Sequence, residues 1–161
     1  MLTPVRRRLA PLALVLLVPG LGACAYQTDQ VYQPSVGVNN RQGTVDVLGA
    51  VVVSSTDGRG TFVASMVNSS LEEPDQLSGV TGEDVQAQLS APIEIQPESL
   101  VNLAEMGAVS VTGDGIEPGR FARLTLTFAN GQETKLNAPV IDDEEPYSDI
   151  ERATPSPSAT P

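Results

Sequence analysis

Between residues 44 and 140, apolar and polar positions alternate with a period of two, and turn-forming residues recur at roughly 8- to 12-residue spacing. That pattern predicts short strands whose side chains go alternately to a core and to water. Helical spacing is nowhere sustained. Residues 44–54 form a β-branched, almost continuous apolar run that predicts a buried strand, with Gly49 as a candidate bulge. Asp57-Gly58 predicts a tight reversal into residues 61–68, where Phe62, Ala64 and Met66 fall on one face. Shorter strands are expected at 77–80, 85–89, 93–95, 100–103 and 107–112, with Val109 and Val111 pointing the same way. The clearest hairpin closes the series. Leu124, Leu126 and Phe128 alternate with Arg123, Thr125 and Thr127, and Thr134, Leu136, Ala138 and Val140 return. Between them Asn130-Gly131 predicts a two-residue turn with both central residues at positive φ. Glu117-Pro118-Gly119 and Gly113-Asp114-Gly115 read as further turns, and no helical pattern follows the second to make it a phosphate cradle. The expected fold is all-β: a single antiparallel β-sandwich over residues 43–141.

The flanks break this pattern. Arg6, Arg7 and Arg8 precede an apolar run over residues 9–21 that contains Pro11, Pro19 and Gly20. The run is short and broken for a spanning helix and reads as an export signal over residues 1–23. Leu21-Gly22-Ala23-Cys24 then resembles the bacterial lipobox, in which small residues fit the processing peptidase and the cysteine becomes a diacylglycerol-bearing N-terminus. Cys24 is the only cysteine, so lipidation gives it a use. Burial of acyl chains at about 0.8 kcal/mol per methylene makes two chains a lasting anchor. The expected location is the extracytoplasmic face of the cell membrane.

Residues 24–42 are rich in Gln, Asn, Ser and Thr and predict a flexible tether. Tyr26, Val31, Tyr32 and Val36 leave open an irregular docked first strand. Residues 142–161 join an acidic run to a Pro/Ser/Thr tail, a composition that predicts disorder. The four acids at 142–145 read as a solvated charge run, because nothing in the sequence fixes ligand geometry for calcium.

Charge narrows the partners. The formal net charge is −11, and loss of the three arginines with residues 1–23 takes it to −14. Such a surface repels phosphates, so nucleic acid is not an expected partner and the lipid rather than the polypeptide holds the membrane. With no histidine, the usual general base and commonest metal ligand are missing together. Glu72, Glu73 and Asp75 flank Pro74 in polar sequence where no feature predicts a raised pKa. Asn68-Ser69-Ser70 matches a glycosylation pattern, but a turn after a strand explains Asn68 better. Met66 is expected in the core and Met106 in a loop or at a strand edge. No nucleophile–base pair supports an enzyme, and no cofactor is expected.

The strings VASMVNSS, PDQLSGVTG, IEIQPESLVNL and IEPGRFARLTLTFANGQETKLNAPV resemble the PCu(A)C-type copper chaperone domain, and more closely its actinobacterial lipoprotein relatives of the LpqE type. The resemblance covers roughly residues 44–140. It implies a cupredoxin-like, immunoglobulin-related sandwich. It also implies a His and Met set for Cu(I), which soft thioether and imidazole donors suit. On this chain those ligands would fall near Ser90, and near Ala108 and Ser110 for a His-x-Met pair, so the expected metal ligands are none. The resulting expectation is a lipid-anchored, non-enzymatic accessory or interaction protein whose partner is another envelope protein. The alternative is copper delivery by a remodelled site.

Overall fold

The computed structural model of the chain describes residues 36–153, apart from positions 57 and 145. Leu21, Gly22, Ala23 and Cys24, the rest of the expected signal and tether up to residue 35, and residues 154–161 lie outside the described residues.

The alternating segments form ten strands: β1 (Val38–Asn40), β2 (Val45–Thr56), β3 (Arg59–Asn68), β4 (Asp75–Gly82), β5 (Gln86–Leu89), β6 (Ile93–Ile95), β7 (Leu100–Asn102), β8 (Val109–Thr112), β9 (Phe121–Phe128) and β10 (Glu133–Asp142). They are hydrogen-bonded in the order β5-β8-β3-β2-β10-β9-β4-β6, with β1 added to β2 and β7 to β3. The sheet curls over a main core. Val47 and Val52 of β2 and Phe62, Ala64 and Met66 of β3 share a buried cluster with Leu77, Leu124, Leu126, Phe128 and Leu136 of β4, β9 and β10. The period-two reading places these residues correctly: along β9, Ala122, Leu124, Leu126 and Phe128 are buried while Phe121 and Arg123 are exposed. Each Val, Leu, Phe or Met side chain among them contributes about 1.5–3 kcal/mol when fully buried, so a core poor in aromatics is still substantial.

Strand β10 belongs to both layers. Its residues Glu133 to Pro139 pair antiparallel with β9, and Val140 to Asp142 pair parallel with β2. The change of partner falls at Pro139, which has no N–H to give a ladder. The other described strand pairs are antiparallel, as expected for the sandwich, and this parallel pair adds to them. Tight turns impose antiparallel directions on hairpin neighbours, whereas β2 and β10 are separated by most of the domain and no local signal sets their direction.

Three local expectations are refined. The register of β2 against β3 shifts between Leu48 and Val51, and Gly49 sits there at φ 62°, a left-handed conformation that favours glycine. Its N–H donates to Asn39 Oδ1 at 2.7 Å, and a Cβ on Gly37 would stand 2.3 Å from the Gly49 carbonyl carbon. This close approach docks β1, whose composition assigns it to the tether, onto β2. At the last hairpin Gly131 N–H donates to the Phe128 carbonyl at 3.0 Å and Phe128 N–H to the Gln132 carbonyl at 2.9 Å. Gly131 has φ 87° while Asn130 stays at negative φ. The loop is therefore a three-residue turn ending in a left-handed glycine, not the two-residue turn that Asn-Gly predicts. Residue 103 is not strand either: Asn102 Oδ1 accepts from Ala104 N–H at 3.1 Å and opens a short 3-10 turn, Leu103–Glu105.

The largest departure is at the C-terminal side. The composition of residues 142–161 predicts disorder, yet the described part of this segment crosses the outer face of the sheet. Tyr147 and Ile150 pack with Ile141 and Ala104 over Val51, Val53 and Val63. Glu151 N–H donates to the Ala104 carbonyl and Ala153 N–H to Thr61 Oγ1, each at 2.9 Å. Arg152 pairs with Asp143. Composition alone hides this because only two apolar side chains anchor an otherwise acidic strap.

Candidate functional site

The positions at which the resemblance would put metal ligands come together. β5 pairs antiparallel with β8, with Gln88 opposite Ser110 and Leu89 opposite Val109. One step further Ser90 N–H donates to the Ala108 carbonyl at 2.8 Å. Alternation then puts Val109 and Val111 into the core, while Ser90 is exposed at the end of the pair. Ala108 and Ser110 are both buried.

The donor chemistry of this cluster is one methyl group and two hydroxyls. Neutral hydroxyls are hard, weak donors, and Cu(I) is held by thioether, thiolate or imidazole. The residues present do not fit the ion. Met66 offers no help, being fully buried in the main core. Met106 lies two residues before Ala108 and is 47% exposed, with its N–H donating to the Leu103 carbonyl at 3.2 Å. It is a single thioether on a turn, and Gly107 after it takes φ 53°. Among the described residues no group of three or more His, Cys, Asp or Glu side chains converges as a metal site.

The acidic loop is split by the fold. Glu72 and Glu73 are exposed, and their N–H groups face Ser70 Oγ at 3.4 and 3.0 Å. Asp75 is instead buried, its Oδ1 accepting from Gln76 N–H at 2.7 Å and Asn130 N–H at 3.3 Å. It ties the start of β4 to the last hairpin turn rather than pairing with the two glutamates. Asn68 is also fully buried: its Nδ2 donates to the Glu73 and Ile95 carbonyls at 2.9 and 3.1 Å, and its Oδ1 accepts from Ser70 N–H at 2.9 Å. That Asx turn agrees with the turn reading and leaves no amide for a glycan. Sequence reasoning missed the cross-links from Asn68 and from Gln132, which bonds both the N–H and the carbonyl of Val45. No local pattern could reveal them, since their partners are distant in sequence.

A depression of about 470 Å³ lies across β4, β9 and β10 and is lined in part by Thr81, Glu83, Arg123, Thr125, Lys135 and Asn137. Arg123 Nε lies 2.8 Å from Glu83 and its guanidinium also pairs with Asp84. The hydrogen bond that Arg123 donates to Asp84, followed by the charges of Asp84 and Glu83, raises the Arg123 pKa above its ordinary value. The β9 arginine is thus paired with the loop between β4 and β5, and the lining offers hydrogen bonds and the Lys135 ammonium rather than a nucleophile beside a base.

The architecture matches solved structures. The apo PCuAC domain from PmoF1 superimposes with a TM-score of 0.57 at 21% identity, covering 65% of this chain and 99% of that domain. The copper-bound PCuAC domain from PmoF2 gives 0.53 at 25% identity, covering 65% and 98% respectively. This chain has a PCuAC-like fold. No protein-family model matches the chain, and comparison with curated proteins found no match.

Proposed function

We propose that the chain is a lipid-anchored envelope protein that uses a PCuAC-like sandwich to bind another envelope protein, without catalysis and without carrying copper. In this reading it is kin to actinobacterial lipoproteins of the LpqE type. The observation that carries the reading is the donor set at the clustered positions Ser90, Ala108 and Ser110, where hydroxyls and a methyl stand at the end of the β5–β8 pair. Leu21-Gly22-Ala23-Cys24 supports the anchor, which places the domain at the membrane surface by its lipid while the acidic polypeptide avoids anionic headgroups.

A second reading, copper delivery through a remodelled site, draws on the likeness to the copper-bound PmoF2 domain and on the exposure of Met106. One thioether falls short of the converging soft donors that Cu(I) requires. Crosslinking on intact cells tests the interaction role: recovery of the same envelope protein from wild type, lost when Cys24→Ala releases the chain, supports it. Recovery of no protein above background contradicts it. Detergent phase partitioning tests the anchor separately. Wild type should enter the detergent phase and Cys24→Ala should not, and identical aqueous partitioning of the two would remove the lipoprotein reading.

A further inference from the structure

Strand β2 is apolar on both faces. Val47 and Val52 enter the main core, while Val51 and Val53 point to the other side and are equally inaccessible, with Val63 of β3 beside them. In a two-layer sandwich that outer face normally meets water and is polar. Here the cover is the segment after β10.

The cover is lightly held. Among the described residues between Asp143 and Ala153, only Tyr147 and Ile150 are packed into the apolar cluster, and both remain half-exposed. Further attachments include the hydrogen bonds to Ala104 and Thr61, and within the strap Arg152 pairs with Asp143, whose Oδ1 is buried without a partner. Ordering a segment whose apolar anchors stay half-exposed puts it at the low end of local stability, where segments open while the rest of a domain stays folded. Its far end rests on Gly107: a Cβ there would stand 3.0 Å from the Arg152 carbonyl carbon. Seating the strap therefore also fixes the turn that carries the exposed Met106.

We infer that the described part of residues 143–153 is a releasable strap that occupies, in cis, a binding face on β2 and β3 for a partner segment that turns across the face as the strap does. The strap itself shows the chemistry that the face accepts. On a turn in which Ile150 N–H donates to the Tyr147 carbonyl at 3.5 Å, it presents an aromatic and a branched aliphatic side chain three positions apart to Val51, Val53 and Val63, followed by main-chain N–H groups that donate to Ala104 and Thr61. A partner segment of that kind would displace the strap and gain the same contacts. The identity of the site deepens the interaction-protein reading and rests on it, whereas opening of the strap is a property of the chain alone and is measured without a partner.

Neighbouring residues on opposite faces provide the test. Val53→Cys and Val52→Cys are each placed in the complete chain carrying Cys24→Ala, and the rate of alkylation by a small maleimide is followed under native conditions. Strap opening predicts that the thiol at 53 reacts at least about a hundredfold faster than the thiol at 52, which needs opening of the main core. Tyr147→Ser with Ile150→Ser should speed reaction at 53 a further tenfold or more and leave 52 unchanged. Equal rates at the two positions, or no response to the strap substitutions, would overturn the inference. A synthetic peptide of residues 142–153, added to the strap-substituted protein, should restore protection at position 53. Failure to restore it would remove the binding face. Protection that instead rises with the protein's own concentration, without peptide, would assign the face to a second copy and overturn the partner assignment.

Discussion

The two apolar clusters among the described residues are adjacent and are built by different means. The inner one is made by alternation: Phe62, Met66, Leu124, Leu126 and Phe128 come from strands of both layers and alternate with outward-facing positions. The outer one is made by coverage, in which Val51, Val53 and Val63 are shielded by Tyr147 and Ile150 on a segment that is otherwise acidic. The comparison teaches that a continuous apolar strand asks for a cover on both faces, and that the second cover need not be a strand or look apolar in composition.

Substitutions separate the two clusters by size of effect. Leu126→Ala, at a fully buried position of the inner cluster, should lower unfolding free energy by about 2–5 kcal/mol in denaturant titration. A loss close to that of a surface substitution would show that the two layers are not packed as described. Asn68→Ala leaves the Glu73 and Ile95 carbonyls without their donor and should cost about 1–3 kcal/mol by the same measurement. Tyr147→Ser, at a half-buried position of the outer cluster, should cost only about 1 kcal/mol globally while strongly increasing hydrogen exchange at the Glu151 and Ala153 amides. Equal exchange in wild type and variant would dissolve the distinction between core and strap. At the small end, Arg123→Gln removes pairs that are exposed on both sides and should leave the melting temperature unchanged, in low and high salt alike.

The legible and illegible parts of the sequence follow the same division. The alternating residues of β3, β9 and β10, the bulge at Gly49 and the turn at Pro118-Gly119 carry local signals, and the structure places each where its chemistry requires. Gly119 takes φ 85° after proline, and Arg120 N–H closes the turn on the Glu117 carbonyl at 3.1 Å. Long-range features were not legible. The parallel pairing of β10 with β2 depends on chain direction across the whole domain, the link from Gln132 to Val45 joins segments far apart in the chain, and the strap is held by tertiary contacts that outweigh its composition. At the candidate site the residue types were legible, and only the β5–β8 register brings Ser90, Ala108 and Ser110 to one place.

The central claim is that this sandwich keeps a PCuAC-like fold while the chemistry at its ligand positions does not suit copper. A competition titration of the complete chain carrying Cys24→Ala against a colorimetric Cu(I) chelator tests it most directly, with Met66→Leu and Met106→Leu measured alongside. The account predicts that the chelator keeps its copper at submicromolar free metal and that neither substitution changes the curve. Stoichiometric withdrawal of copper by the protein would contradict it, and loss of that withdrawal in Met106→Leu would locate the site at the turn beside Ala108.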